Sequence, residues 1–375
     1  MSSRVAHEEK PLSDSAVLAW LDRLDPGTHR RIKGLRLVTA FGLASMLGRM
    51  PEIVAGLAHG AALSSLAGSF ALWASVSEAR LARLDCTRDL ILLCAAAALG
   101  STSYIVMAPI LQSIGPAGSE LTLVSGAFLV GYLKRFGLTG GGIGSQLFIG
   151  QLLAYGLELT EADLPAVTVA ALLAGIASIV PRVLSGPAEL PASPPPADND
   201  RFCGPAGLAP EWTMGLHAAV GALVIVAANE YPGLEESAWA ITACTYVIAG
   251  SAKGTIDRTR QRMIGTVFGV PLGLACLPLA ANLPLLLWTT AALAMVVYAM
   301  ALPERYDIAC GAFAFTLMVT LAASGEDSVV LLAARAWETA LGGAIGLAAA
   351  LLLLPLRPIR VSPQSRKWRA GPTST

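Results

Sequence analysis

Charge is scarce in this sequence. Asp, Glu, Lys and Arg make up 14% of 375 residues, where soluble domains average roughly 25%. Neither sign is in excess, with 26 basic and 26 acidic residues. A nucleic-acid binder would carry a basic surplus, so that class is excluded. Six cysteines (Cys86, Cys94, Cys203, Cys244, Cys276, Cys310) are scattered without a CxxC pair, which fits neither a disulfide framework nor a zinc site. No Walker A loop, HExxH or GxSxG is present. ATP hydrolysis within the chain, zincin chemistry and α/β-hydrolase chemistry therefore lack their residues. The expectation is a protein that is not an enzyme and uses no cofactor. Residues 1–33 hold no apolar stretch of the kind a cleaved signal needs, so the first membrane helix is expected to direct insertion.

What the sequence has instead is apolar length. Hydrophobic residues reach 54% and mean hydropathy is +0.62. The 37 glycines suit helices that approach closely in lipid. About 20 apolar residues cross a bilayer as a helix, and runs of that kind fall in two blocks. The first holds about 35–50, 52–76, 89–108, 117–133, 136–157 and 164–184. The second holds about 211–230, 237–252, 263–281, 283–302, 306–323 and 328–354. The expected fold is all-α, a polytopic membrane protein of about 12 transmembrane helices. The count falls to ten or eleven if the short first run, or the fourth with its Gly115-Pro116 and Glu120, does not span.

Lys and Arg orient these spans. With a cytoplasmic N-terminus they collect on one side: Arg30, Arg31, Lys33 and Arg36, then Arg83 and Arg88, Lys134 and Arg135, Arg258 to Arg262, and Arg305. The opposite loops carry acids such as Glu158, Glu161 and Asp163. Both termini are therefore expected in the cytoplasm.

The blocks also match in order. Gly34-Leu35-Arg36 opens the first and Gly215-Leu216-His217 the second. Thr87-Arg88 answers Thr259-Arg260, and Lys134-Arg135-Phe136 answers Glu304-Arg305-Tyr306. Six helices per block make two parallel six-helix repeats, related by an axis along the membrane normal. The expected divisions are a cytoplasmic segment (1–33), the first repeat (34–184), a Pro-rich cytoplasmic linker (185–210), the second repeat (211–355) and a basic cytoplasmic tail (356–375).

The second block carries recognisable motifs. Arg262, Gly265, Thr266 and Gly269 enter one helix, Tyr306-Asp307 opens another, and Arg335, Glu338, Thr339 and Gly342 lie in the last. This order resembles the fusaric acid resistance (FUSC) superfamily over about 211–355. That group includes aromatic acid exporters and is related to plant malate-type anion channels. Glu338 stands where Asp is commoner in the family. Many members also carry a large soluble domain, where this chain has only the short linker. The resemblance implies a membrane transporter that exports small organic acids, aromatic ones included.

Arg335 and Glu338 are the sharpest candidates for chemistry. Charges inside a span are costly and mark function or a structural pair, and their i, i+3 spacing puts both on one face. One reading makes Arg335 an anion contact and Glu338 a proton site; the other is an ion pair that locks helices together. His59 and His217 are possible proton relays or packing residues. Gln146 and Gln151 lie in a Gly-rich run (Gly140 to Gly150) that either unwinds to line a cavity or packs closely. Asp307 faces the cytoplasmic mouth or caps its helix.

The leading expectation is a secondary, proton-coupled transporter in a bacterial inner membrane, its partners being the lipid bilayer, a small organic anion and a proton. A homo-oligomer or a periplasmic adaptor remains open. The alternatives are a passive anion channel and a non-transporting membrane scaffold.

Overall fold

The computed structural model describes residues 29–57, 60–78, 82–115, 117–185, 202–203, 209–229, 237–276, 278, 283–302, 304–323, 329–353 and 357–358. Twelve helices of eleven residues or more run through them. The first six are α1 (His29–Leu47), α2 (Gly60–Ser77), α3 (Arg83–Gln112), α4 (Leu121–Tyr132), α5 (Gly137–Gly156) and α6 (Leu164–Leu184). The second six are α7 (Pro210–Asn229), α8 (Ser237–Val247), α9 (Ala252–Ala275), α10 (Pro284–Ala301), α11 (Tyr306–Ala323) and α12 (Val329–Leu352). Phe202–Cys203 and Arg357–Pro358 pair as a two-residue antiparallel ladder. Each helix overlaps one expected run.

Five stretches are long and apolar enough to cross a membrane by length and composition: Arg83–Gln112, Gly118–Gly156, Glu161–Leu184, Pro210–Asn229 and Pro284–Ala301. The outer surface is apolar as well. Leu99, Leu172, Phe268 and Leu293 are each at least 60% exposed, a costly arrangement in water and the ordinary one against lipid.

Several boundaries differ from expectation. The run over 52–76 is broken by a four-residue helix, Pro51–Val54, and a turn at Gly56, whose φ of 89° favours glycine. The run over 117–133 opens as a 3₁₀ turn, Gly118–Glu120, before α4. Helices α4 and α8 have 12 and 11 residues. At 1.5 Å per residue each rises about 17 Å, short of the ~30 Å hydrocarbon core. The basic segments before the third helix of each half are helical: Arg83 and Arg88 lie inside α3, and Arg258 to Arg262 inside α9. Those helices have 30 and 24 residues, against the ~20 that span a bilayer, a surplus that covers Arg83 and Arg88 in α3 but only the first turn of α9, ahead of Arg258. The Gly-rich run also forms continuous helix, Gly137–Gly156, rather than an unwound segment.

The same packing order recurs in both sets of six. Helices α1, α2 and α6 pack mutually, as do α7, α8 and α12. Likewise α5 packs on α3 and α4, and α11 on α9 and α10; α3 meets α6, and α9 meets α12. The sets meet reciprocally, α4 on α7 and α1 on α10. Gly215, sixth in α7, is so close to α4 that an added Cβ would lie 2.8 Å from the Phe128 carbonyl oxygen. Gly34, sixth in α1, would meet Val296 of α10 at 3.0 Å.

The eighth residues correspond too. Arg36 Nε donates to Ser185 Oγ just past α6, at 2.6 Å. His217 Nε2 donates to the Leu353 carbonyl just past α12, at 2.5 Å. Each ties the first helix of its set to the end of the last, Arg36 through a side-chain hydroxyl and His217 through a carbonyl that lacks a helical partner. One apolar core fills α1, α2, α3 and α6, and a second joins α4 and α5 to α7 and α8.

Candidate functional site

A cavity of about 1910 Å³ lies between the two sets of helices. Residues of α1, α2, α3 and α5 form one wall and residues of α8 to α12 the other. Glu158, Thr160 and Glu161, between α5 and α6, line it at one end. Arg258 and Gln261 of α9, with Glu304, line it at the other.

Aromatic residues are only 6% of the sequence, yet they gather on this wall. Trp73 of α2 meets Tyr298 of α10 edge-on, with ring centroids 6.3 Å apart, and Phe313 of α11 at 5.4 Å. The hydroxyls of Tyr246 (α8) and Ser145 (α5) lie 2.7 Å apart, bridging the two walls. Tyr104 and Tyr155 make an edge contact at 6.0 Å near the acidic end. Helical spacing cannot reveal this grouping, because the rings come from different helices in both sets.

Two arginines face the same space from neighbouring helices. Arg335 of α12 is 6% exposed, and its guanidinium carbon lies 4.3 Å over the Trp239 ring, a cation–π contact. Arg262 of α9 donates from Nη1 to the Tyr306 hydroxyl at 3.5 Å. Its buried Nε has no hydrogen-bond partner, and Arg262 makes no ion pair among the described residues. An added Cβ on Gly343 of α12 would touch Thr259 of α9 at 3.4 Å. Counting from that level along the antiparallel pair, the two arginines differ in depth by about 7–8 Å. Thr266 and Thr339 also line the cavity. A guanidinium pair among rings and hydroxyls can hold a flat anion through charge-assisted hydrogen bonds while the rings cover its apolar face.

The other sequence candidates fall elsewhere. Glu338 is fully buried beside Arg335 but outside the cavity wall. Gln146 is fully buried and donates to Ser77 Oγ at 3.2 Å. Gln151 donates to Ser103 and Ser125, both at 3.0 Å. Neither glutamine lines the cavity, and His217 is held at the end of α12. Asp307 accepts twice from Arg305, at 2.8 and 3.1 Å, near the start of α11. His59 lies outside the described residues. Gly265 and Gly269 seat α9 against α11, and Gly342 seats α12 against Ala240 of α8. The motif glycines thus set helix spacing while Arg262, Thr266 and Tyr306 face the cavity. Among the described residues no group of three His, Cys, Asp or Glu is placed to hold a metal.

Residues 220–349 match the family model described as fusaric acid resistance protein-like. Comparisons with curated proteins and with solved structures found no match. The matched residues run from within α7 to within α12 and include the cavity arginines Arg258, Arg262 and Arg335. The chain is accordingly a multi-pass membrane protein with a fusaric acid resistance protein-like region over residues 220–349.

Proposed function

We propose that this protein is a secondary transporter that exports small organic anions, aromatic acids among them, from the bacterial cytoplasm in exchange for protons. The observation that carries the reading is the ring-lined cavity between the two helix sets, with Arg262 and Arg335 on its wall. Aromatic acids have an apolar face and a carboxylate, and this wall offers a complement to each. The recurring packing order supports two parallel six-helix repeats, 34–184 and 211–355, that rock about the α4–α7 and α1–α10 seams. The loop charges support cytoplasmic termini.

The test is uptake of radiolabelled benzoate into proteoliposomes under an imposed pH gradient. Wild-type protein should concentrate benzoate with the gradient. Arg262→Gln and Arg335→Gln should each weaken apparent affinity about tenfold or more, since a hydrogen bond to a charged group is worth roughly 1.5–3 kcal/mol. Flux no faster than in protein-free vesicles sinks the reading. Saturable flux that ignores the gradient would instead mark a passive anion pathway.

A further inference from the structure

One buried carboxyl stands outside every motif above. Glu120 ends the 3₁₀ turn before α4 and is 5% exposed. Its Oε1 accepts from Asn229 Nδ2 of α7 at 2.8 Å and from the Tyr155 hydroxyl of α5 at 3.2 Å. Its Oε2 is buried with no hydrogen-bond partner. No Lys, Arg or His forms an ion pair with it among the described residues. Among the described residues the groups that face it are the Tyr155 phenol from α5, the Tyr104 phenol from α3 behind it, Asn229 from α7 and Ser237 from α8. All are uncharged in neutral solution.

A carboxylate sealed away from water without a cation is unfavourable by several kcal/mol, and the group avoids that by carrying a proton. The charged form becomes tolerable only when water reaches it. Two features make Glu120 able to alternate between those settings. Asn229 belongs to the second helix set, so the carboxyl straddles the α4–α7 seam at the end opposite the close Gly131–Gly215 approach. Tyr155 lines the cavity, so its hydroxyl joins the carboxyl to that space. Neither carboxyl lines the cavity itself; Glu120 is joined to it by the Tyr155 hydroxyl and sits on the α4–α7 seam, whereas Glu338 is fully buried on α12, away from that seam.

We propose that Glu120, rather than Glu338, takes up and releases the coupled proton, binding it when the seam is closed and losing it when the seam opens to water. This rests on the proton-coupled reading above.

Two measurements separate the outcomes. Infrared difference spectra of the purified protein across a pH titration should show a protonated-carboxyl band that disappears in Glu120→Gln and persists in Glu338→Gln and in Glu78→Gln. Tyr155→Phe should keep that band but move it, because one hydrogen bond to the carboxyl is gone. This second variant keeps the assignment testable if Glu120→Gln fails to fold. In proteoliposomes, benzoate accumulation by Glu120→Gln should no longer follow the pH gradient. The proposal is overturned if the gradient drives Glu120→Gln as well as wild type, or if the band is lost in Glu338→Gln or unmoved in Tyr155→Phe. A band that follows Glu120 while wild-type flux ignores the gradient would overturn the coupled reading, and the coupling role with it, yet leave Glu120 as a proton-binding group.

Discussion

Single residues in this protein divide by whether their charge reaches water. Glu78 follows α2 on the basic side. Burial pushes its carboxyl above the usual glutamate range, and the Lys33 ammonium offsets part of that effect. Lys33 itself donates to the carbonyls of Val76 and Glu78, at 3.1 and 2.8 Å, tying α1 to the end of α2. A folded-state pKa above the unfolded value means that the neutral carboxyl favours the fold. Its contribution is complete below the ordinary glutamate pKa and is lost as pH rises through the raised value. Melting in detergent should therefore fall with rising pH across that window, and Glu78→Gln should remove this part of the slope. An unchanged slope in the variant would assign the pH dependence to other groups. At this scale the sequence singled out Arg335 and Glu338 because charge inside an apolar run is conspicuous. It passed over Glu120, whose burial comes from α5 and α7 rather than from its neighbours in the chain.

Helix pairs depend on how closely backbones approach. In α5, an added Cβ on Gly150 would lie 2.9 Å from the Ala97 carbonyl carbon of α3. In α9, one on Gly265 would lie 2.7 Å from the Gly311 nitrogen of α11. Corresponding helix pairs of the two sets are thus both seated on glycine. Gly175, inside α6, differs in having nothing within 4 Å of an added Cβ. Gly150→Ala and Gly265→Ala should lower the melting temperature because backbone has to move. Gly175→Ala should raise it, since Ala in a helix interior gains up to about 1 kcal/mol over Gly. Three substitutions with equal effects would show that propensity, not seam contact, governs these positions. Helix existence was legible in the sequence, because apolar runs of this length have few other solutions in lipid. Helix ends were not: the helical Arg258 to Arg262 segment and the short α8 depend on neighbours and on side-chain bonds such as Ser251 Oγ accepting from the Gly254 amide.

Across the whole molecule, the two cavity ends differ in charge. Glu158 and Glu161 line one, while Arg258 lines the other beside Glu304, whose charge the ion pair with Arg30 offsets. With cytoplasmic termini, the acidic end opens to the periplasm and the basic end to the cytoplasm, where an anion awaiting export would be drawn in. Membrane-impermeant maleimide should label Glu161→Cys in intact spheroplasts and Glu304→Cys only after permeabilisation. Labels in the opposite order would invert the topology and the direction of transport with it.

The sequence by itself determined the solvent. Sparse charge and apolar runs are properties of consecutive residues, so lipid and helix could be read from them. Gly34 and Gly215 sit at close helix approaches between the two sets, and Arg36 and His217 each bond to the residue just past the last helix of their set. Only the tertiary structure decided which of those residues face a common space. Arg262 and Tyr306 read as motif positions, and Gln146 and Gln151 as either cavity-lining or packing positions; packing placed the first two on the cavity wall and the glutamines behind it. The physical reason is that a cavity between helices is bounded by separate segments of the chain. Which face of each helix turns toward it is set by the backbone contacts of the helix on its other side.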